Sequence, residues 1–330
     1  MNKFHRRLAF IILLLFLISW LVIYFTVDIN TLANLTVFKP TGILLALVSI
    51  SIGLFLDGTR LMHILKVSDE KISLREAMQV VFGNYFLALL TPGATGGAVA
   101  QMIFLKKFGI PTGKATAVIL GKTLMTIAFL ILTTPFIFLY DSKILSMLSD
   151  TALFFTSLFL VVLFIGLCVA LKYHLLSRVI IKIAKALPIY RGHQLLVLFK
   201  EINEAARVLK KSPVMMVLIC IESGISLVFL YAILPCLMYG LGVTNVDWIV
   251  IMGRMFFLNM LLYFTPTPGG SGVAEGGFIL LFSHLVPAGT VGILAVAWRI
   301  ISEYLPFVIG LFYTVKVFGE EFISKQTEKA

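Results

Sequence analysis

Charge is scarce in this chain. Asp, Glu, Lys and Arg make up 13% of its 330 residues, against 60% hydrophobic. A soluble domain carries about a quarter charged residues, so the composition excludes a soluble globular protein and describes an all-α polytopic membrane protein. Cysteine is scarce too. Cys168, Cys220 and Cys236 all sit in apolar runs, which excludes a disulfide framework and metal-ligand spacing. The sequence has no His-Glu-x-x-His, no Gly-x-Ser-x-Gly and no phosphate-binding loop ending in Gly-Lys-Ser/Thr. Its histidines, His5, His63, His174, His193 and His284, form no ligand cluster. Outer loops of about 14 residues at most leave no room for a catalytic domain. The expectation is a protein that is not an enzyme, with no catalytic residue, no cofactor and no metal.

What the chain has is apolar sequence, broken in a patterned way. Apolar stretches fall near 8–27, 42–60, 77–90, 95–105, 115–140, 151–171, 213–240, 246–265, 272–284 and 288–315. The first, about 20 residues, is long enough for roughly 30 Å of helix. Lys3, Arg6 and Arg7 precede it, and no small-x-small cleavage site follows, so it reads as an uncleaved first span. The stretches 95–105 and 272–284 are too short to cross alone, and each follows a Pro-Gly turn. These turns are Thr91-Pro92-Gly93-Ala94-Thr95-Gly96-Gly97 and Thr267-Pro268-Gly269-Gly270-Ser271-Gly272. They lie 176 residues apart, and Pro111 and Gly113 match Pro287 and Gly289 at the same offset. Pro and Gly end helices and free backbone polar groups. Inside a bilayer such groups survive only where protein or a water-filled cavity lines them.

Positive charge sets the orientation. The formal net charge is +11, with basic residues flanking apolar segments, so anionic lipid rather than nucleic acid is the expected partner. With the N-terminus in the cytoplasm, segments 1–7, 60–75, 106–114, 172–211 and 316–330 are inside and carry 22 of the 27 Lys and Arg residues. The outer loops carry only Lys39 and Lys143. Both termini are then cytoplasmic, hairpin 77–105 opens inward and hairpin 246–284 outward. The expected fold is a single integral membrane domain over 1–330, with about eight transmembrane helices and two broken or re-entrant hairpins in an inverted repeat. The first half is 1–171 and the second 212–330. Between them, 172–211 is a cytoplasmic amphipathic segment, with Leu175, Leu176, Val179, Ile180 and Ile183 on one face and Arg178, Lys182 and Lys185 on the other. It serves either as a packing helix or as a contact with lipid head groups.

An ion inside a membrane costs about 2.5–3.5 kcal/mol on insertion scales, so each requires a reason. Asp57 and Arg60 are one turn apart and read as a local ion pair. Arg299 and Glu303, at i and i+4, read either as a self-neutralising pair or as part of a phosphate site with Lys122 and Arg254. Glu275 is a structural partner for one of these cations, or a group that carries a proton. Glu222 lies early in 213–240. Asn84, Gln101 and Asn259 are candidates to satisfy broken backbone. Helices starting after Gly96 and Gly272 would aim positive N-termini into the membrane, where they attract an anion.

The segment Thr265-Pro-Thr-Pro-Gly-Gly-Ser-Gly-Val-Ala-Glu275, with Ala297-Trp-Arg299 and Leu305-Pro306 after it, resembles the lysylphosphatidylglycerol synthase transmembrane-region family, a flippase-like domain. Leu90-Thr-Pro-Gly-Ala-Thr-Gly-Gly97 through Gly121-Lys122 fits the same family, and the resemblance spans essentially the whole chain. The family's Pro-Gly-Gly-x-Gly-x-x-Glu pattern falls on Pro268, Gly269, Gly270, Gly272 and Glu275, and its last-span arginine on Arg299. Its first-half basic position, usually arginine, is Lys122 here, which keeps the charge and loses the bidentate fork. Members fused to a soluble aminoacyltransferase make aminoacylated phosphatidylglycerol and move it across the bilayer; the expectation here is the translocating half without the synthase. The resemblance implies a standalone flippase that moves a phospholipid or lipid-linked head group between leaflets of a bacterial or archaeal cytoplasmic membrane.

The expected substrate site comprises Thr91, Pro92, Gly93, Gly96 and Gly97 of the first turn, and Pro268, Gly269, Gly270 and Gly272 of the second. Lys122, Arg254, Glu275, Arg299 and Glu303 complete it. Expected partners are membrane lipids with anionic head groups, a second copy of the chain and a lipid-synthesis enzyme. The rival readings are a secondary transporter of a small anionic solute and a non-catalytic scaffold for lipid synthesis.

Overall fold

The computed structural model describes residues 37–141 and 213–327, apart from Pro92, 244–246, Phe264 and Ala288, together with positions 193, 196, 197 and 200. The expected first span at 8–27, the run 151–171 and most of segment 172–211 lie outside the described residues. Every described element is helical. In chain order they are α1 (Pro40–Val67), α2 (Leu74–Leu90), α3 (Thr95–Lys107), α4 (Thr112–Tyr140), α5 (Pro213–Tyr231), α6 (Ile233–Gly240), α7 (Trp248–Tyr263) and α8 (Val273–Phe282). The last are α9 (Val291–Arg299), a π-helical turn (Ile300–Tyr304) and α10 (Leu305–Thr327).

Among the described residues, four stretches are long and apolar enough to cross a bilayer: Pro40–Val67, Thr112–Phe138, Val217–Gly240 and Val291–Val317. The fold is an all-α polytopic membrane fold. Its two helix–turn–helix units are different in scale. At 1.5 Å per residue, α3 with 13 residues spans about 20 Å and α8 with 10 residues about 15 Å. Both fall well short of the roughly 30 Å hydrocarbon core.

Local chemistry sets the boundaries. Pro40 opens α1 at a position where a missing N–H costs nothing. Ser73 caps α2, accepting from the Glu76 amide at 3.3 Å, while Glu76 Oε2 takes the Ser73 amide at 2.7 Å. The apolar run 213–240 divides at Ala232, because Pro235 cannot donate to the Tyr231 carbonyl four residues back. The last span is widened for the same reason. Pro306 offers no N–H to Ser302 and its ring would clash with that carbonyl, and the π-helical turn Ile300–Tyr304 lies where the clash would fall.

Helix α1 is the hub, packed on α5, α6 and α2, while α10 lies along α2 and α7 along α4. Glycines allow the closest approaches. A Cβ on Gly310 of α10 would overlap the Phe82 backbone of α2, and one on Gly42 of α1 would overlap Gly240 of α6. Phe278 and Trp298 stack at 5.3 Å in the core that joins α8 to α9. Large apolar side chains such as Phe136, Val214, Leu280 and Phe312 are exposed, as the outer surface of a membrane bundle requires.

Candidate functional site

The two Pro-Gly turns share a left-handed pair of residues. Gly93 (φ 62°) and Ala94 (φ 53°) correspond at the 176-residue offset to Gly269 (φ 58°) and Gly270 (φ 68°). This left-handed pair is open to glycine and strained for alanine, and it turns each short helix back on its partner. In the first turn the Thr91 hydroxyl donates to the Leu87 carbonyl at 2.8 Å and accepts from the Gly96 amide at 2.7 Å. That bond lets α3 begin at Thr95, earlier than the expected start after Gly96. In the second, the Gly272 amide donates to Glu275 Oε2 at 2.7 Å, so Glu275 caps α8. The turns also meet each other. A Cβ on Gly269 would overlap the Leu89 side chain, and one on Gly93 would stand 3.8 Å from the Thr265 carbonyl oxygen.

Between the turns lies a cavity of about 440 Å³. Gly93, Gly269 and Gly270 form part of its wall, and Asn84, Gln101 and Asn259 bring side-chain amides to it. On one side stands a cationic cluster. Asp57 accepts from Arg60 Nη2 at 2.6 Å and from Lys122 Nζ at 2.6 Å, and Arg60 Nη1 donates to Thr126 Oγ1 at 3.1 Å. One carboxylate serves two cations, so the cluster carries one positive charge in excess, with Arg60 and Lys122 about 95% buried.

On the other side Arg299, 3% exposed, is shared by two carboxylates. Its Nε donates to Glu275 Oε1 at 3.0 Å, and its Nη1 to the Gly269 carbonyl at 2.9 Å and to Glu303. This cluster carries one negative charge in excess. The Arg299 guanidinium also ties α9 to the second turn, so the last span and the hairpin share one electrostatic anchor.

Four buried polar side-chain atoms lack a partner among the described residues: Arg60 Nε, Gln101 Oε1, Arg299 Nη2 and Ser302 Oγ. Arg60, Gln101 and Ser302 line the cavity, and Arg299 bonds to two groups of its wall. Buried polar atoms are satisfied almost everywhere in proteins, so this concentration marks a space for water or a polar ligand.

Of the expected site residues, the structure brings Gly93, Lys122, Gly269, Gly270 and Glu303 to the cavity wall, with Arg299 and Glu275 directly behind Glu303 and Gly269. Thr91, Gly96 and Gly97 pack the first turn instead, Gly97 against Asn84. Pro268 and Gly272 are exposed, and Pro92 lies outside the described residues. Arg254 is not brought to the cavity. Its Nε and Nη2 hold Asp141 at 2.6 and 3.1 Å, and its Nη1 donates to the Leu281 carbonyl and to His284 Nε2 at 2.5 and 2.6 Å. It joins α7, α4 and the end of α8 as a clamp. Sequence reasoning missed Asp57 and Arg60 as cavity groups. The signal was Lys122, which has no carboxylate within four residues on its own helix and needs one from elsewhere.

The architecture and site define a multi-pass helical membrane protein with a charged internal cavity at paired backbone breaks. The chain belongs to the family of the lysylphosphatidylglycerol synthase TM region, whose model matches residues 8–310. It is also similar to a UPF0104 membrane protein of Archaeoglobus fulgidus, at 20% identity over 249 residues, covering 73% of this chain and 75% of the relative.

Proposed function

We propose that this protein moves a phosphate-bearing lipid head group between the leaflets of a cytoplasmic membrane, without catalysing a chemical reaction. The observation that carries the reading is the cavity itself. It sits where both turns meet, holds an excess positive charge at Asp57, Arg60 and Lys122, and collects buried polar atoms that lack partners among the described residues. A phosphate oxygen there gains from Lys122 and from the unpaired Arg60 Nε. A unit charge pair at 4 Å contributes about 4 kcal/mol at an effective dielectric of about 20. The head group occupies the cavity while its acyl chains stay in the bilayer, and the matching hairpins supply the rocking elements that such paired breaks form in transporters. Anionic lipids are the natural partners, with a second copy of the chain and a lipid-synthesis enzyme as further ones. The basic cytoplasmic flanks read from the sequence set both termini inside.

The test is a reconstituted liposome assay with fluorescent phosphatidylglycerol. Wild-type protein is expected to expose inner-leaflet probe to an external quencher, and Lys122→Met to slow this at least about tenfold, the effect of losing one charge-assisted contact of roughly 1.5–3 kcal/mol. Uptake of soluble phosphate esters with no lipid movement would replace the lipid with a small anion. Movement only in the presence of a co-purifying enzyme would make the chain a scaffold.

A further inference from the structure

We infer that Glu303 is the proton-binding carboxylate of the cavity, taking up one proton when a phosphate-bearing anion enters and releasing it when the anion leaves. This rests on the reading of the cavity as an anion site and adds what couples that site to its surroundings.

Charge balance supplies the first argument. The excess positive charge of Asp57, Arg60 and Lys122 is matched by the excess negative charge of Glu275, Arg299 and Glu303. The charges of these six groups therefore sum to zero. A phosphodiester brings one negative charge against groups that are themselves buried, Arg60 and Lys122. An uncompensated charge there is costly, and one proton removes it.

The seat of that proton follows from the hydrogen bonds. Asp57 is held between two cations. Glu275 accepts from Arg299 and from the Gly272 amide at the start of α8, where the helix end favours a negative group. Glu303 has Arg299 as its hydrogen-bond partner among the described residues, and it alone of the two glutamates lines the cavity. The remaining titratable groups on the wall, among the described residues, are Tyr85 of α2, Tyr231 of α5 and the Arg60 and Lys122 cations, with Tyr304 beside Glu303 on its own turn. Glu303 is thus the carboxylate that the protein satisfies least and exposes to the cavity most.

The backbone fits the role. Glu303 stands in the π-helical turn just before Pro306, a distortion frequent at functional sites. Ser302 Oγ and Arg299 Nη2 lie unpartnered among the described residues, one residue and four residues before it in sequence. They offer an acceptor and a donor to a water that brings the proton from the cavity.

The experiment is isothermal titration calorimetry of the full chain in detergent, in buffers of differing ionisation enthalpy. The probes are dihexanoylphosphatidylglycerol and its free head group, glycerophosphoglycerol, neither of which titrates near neutral pH. The wild type is expected to take up about one proton per bound probe, with affinity rising by up to about tenfold per pH unit on acidification, as one-proton linkage requires. E303Q, fixed in the protonated form, is expected to bind with no uptake and no pH dependence. Absence of uptake in the wild type, or its persistence in E303Q, overturns the inference. If E303Q does not fold, E303D is expected to keep uptake with a shifted pH midpoint, and an unshifted midpoint overturns it. If neither probe binds, the anion-site reading falls. The proton seat is then read separately, as an acid-induced carboxyl infrared band of the unliganded protein. Loss of that band in E303Q supports Glu303, and its survival there refutes it. Binding of the lipid alone, or of the head group alone, separates a lipid substrate from a soluble ester.

Discussion

Replacing Asp57 by asparagine is the sharpest perturbation of the cationic cluster. In the folded protein the two Asp57 oxygens each lie 2.6 Å from a cation, Arg60 and Lys122. A neutral amide at this position would leave two buried cations with no anion. Breaking a buried ion pair from one side costs about 3–5 kcal/mol, because the abandoned charge remains. Lys122→Met acts in the opposite sense. It leaves Asp57 and Arg60 as a neutral pair, and methionine fills the volume of the lysine stem, so the cost is expected below about 1 kcal/mol. The double variant removes one of the two abandoned cations and should recover about 1–3 kcal/mol of the Asp57→Asn loss. Reversible unfolding in SDS mixed micelles, followed by tryptophan fluorescence, measures all three. Equal destabilisation by Lys122→Met and Asp57→Asn, or a harmless Asp57→Asn, would refute the pairing of one carboxylate with two buried cations. The same variants separate folding from function: Lys122→Met is expected to be stable yet at least about tenfold slower in lipid movement.

Two further perturbations test packing and charge away from the cavity. Gly310→Ala would drive a Cβ into the Phe82 carbonyl where α10 crosses α2, and is expected to cost about 1–3 kcal/mol. Gly276→Ala in α8 meets nothing within 4 Å and should be neutral or stabilising by up to about 1 kcal/mol; equal effects in the same unfolding assay would contradict the packing. Burial and the Arg254 guanidinium hold the His284 imidazole below its ordinary value. The unfolded chain then takes the proton first, so stability is full above about pH 6.5 and falls as pH drops through it. His284→Gln should flatten that acid-side loss in a pH series, and an unchanged profile would remove the histidine from it.

The breaks were legible in the sequence because Pro and Gly act locally. Pro92-Gly93 and Pro268-Gly269 fix where the helices stop whatever surrounds them. The glycine after each proline is left-handed in both turns. The anchoring of Arg299 by Glu303 was legible at i,i+4 spacing, and Glu275 was readable as a partner without its cation. What was not legible is long-range pairing. Asp57 meets Lys122 across 65 positions, and Arg254 meets Asp141 across 113. No period or motif connects such residues, so Arg254 and Lys122 looked alike as isolated intramembrane cations. Packing made one a clamp between helices and put the other on the cavity wall. The π-helical turn was hidden for a related reason. Pro306 marks a disturbance, but whether a helix kinks, ends or widens there depends on what holds its far side.

The charges themselves argue that the cavity is used. Asp57, Arg60, Lys122, Glu275, Arg299 and Glu303 stand within or beside membrane-spanning helices, and each costs about 2.5–3.5 kcal/mol on insertion scales. Buried ion pairs seldom repay that cost in stability, and well-packed apolar residues of similar volume often do better. A bundle held together only for packing has no use for six such groups around an opening of about 440 Å³. Their arrangement is also not that of separate neutral pairs. One carboxylate holds two cations on one side, and one guanidinium holds two carboxylates on the other. Two neutral pairs would attract neither an anion nor a proton. Two oppositely unbalanced clusters facing one cavity give an anion a place to sit and a carboxylate a reason to change its charge when it does. That asymmetry is the physical content of the proposed transport cycle.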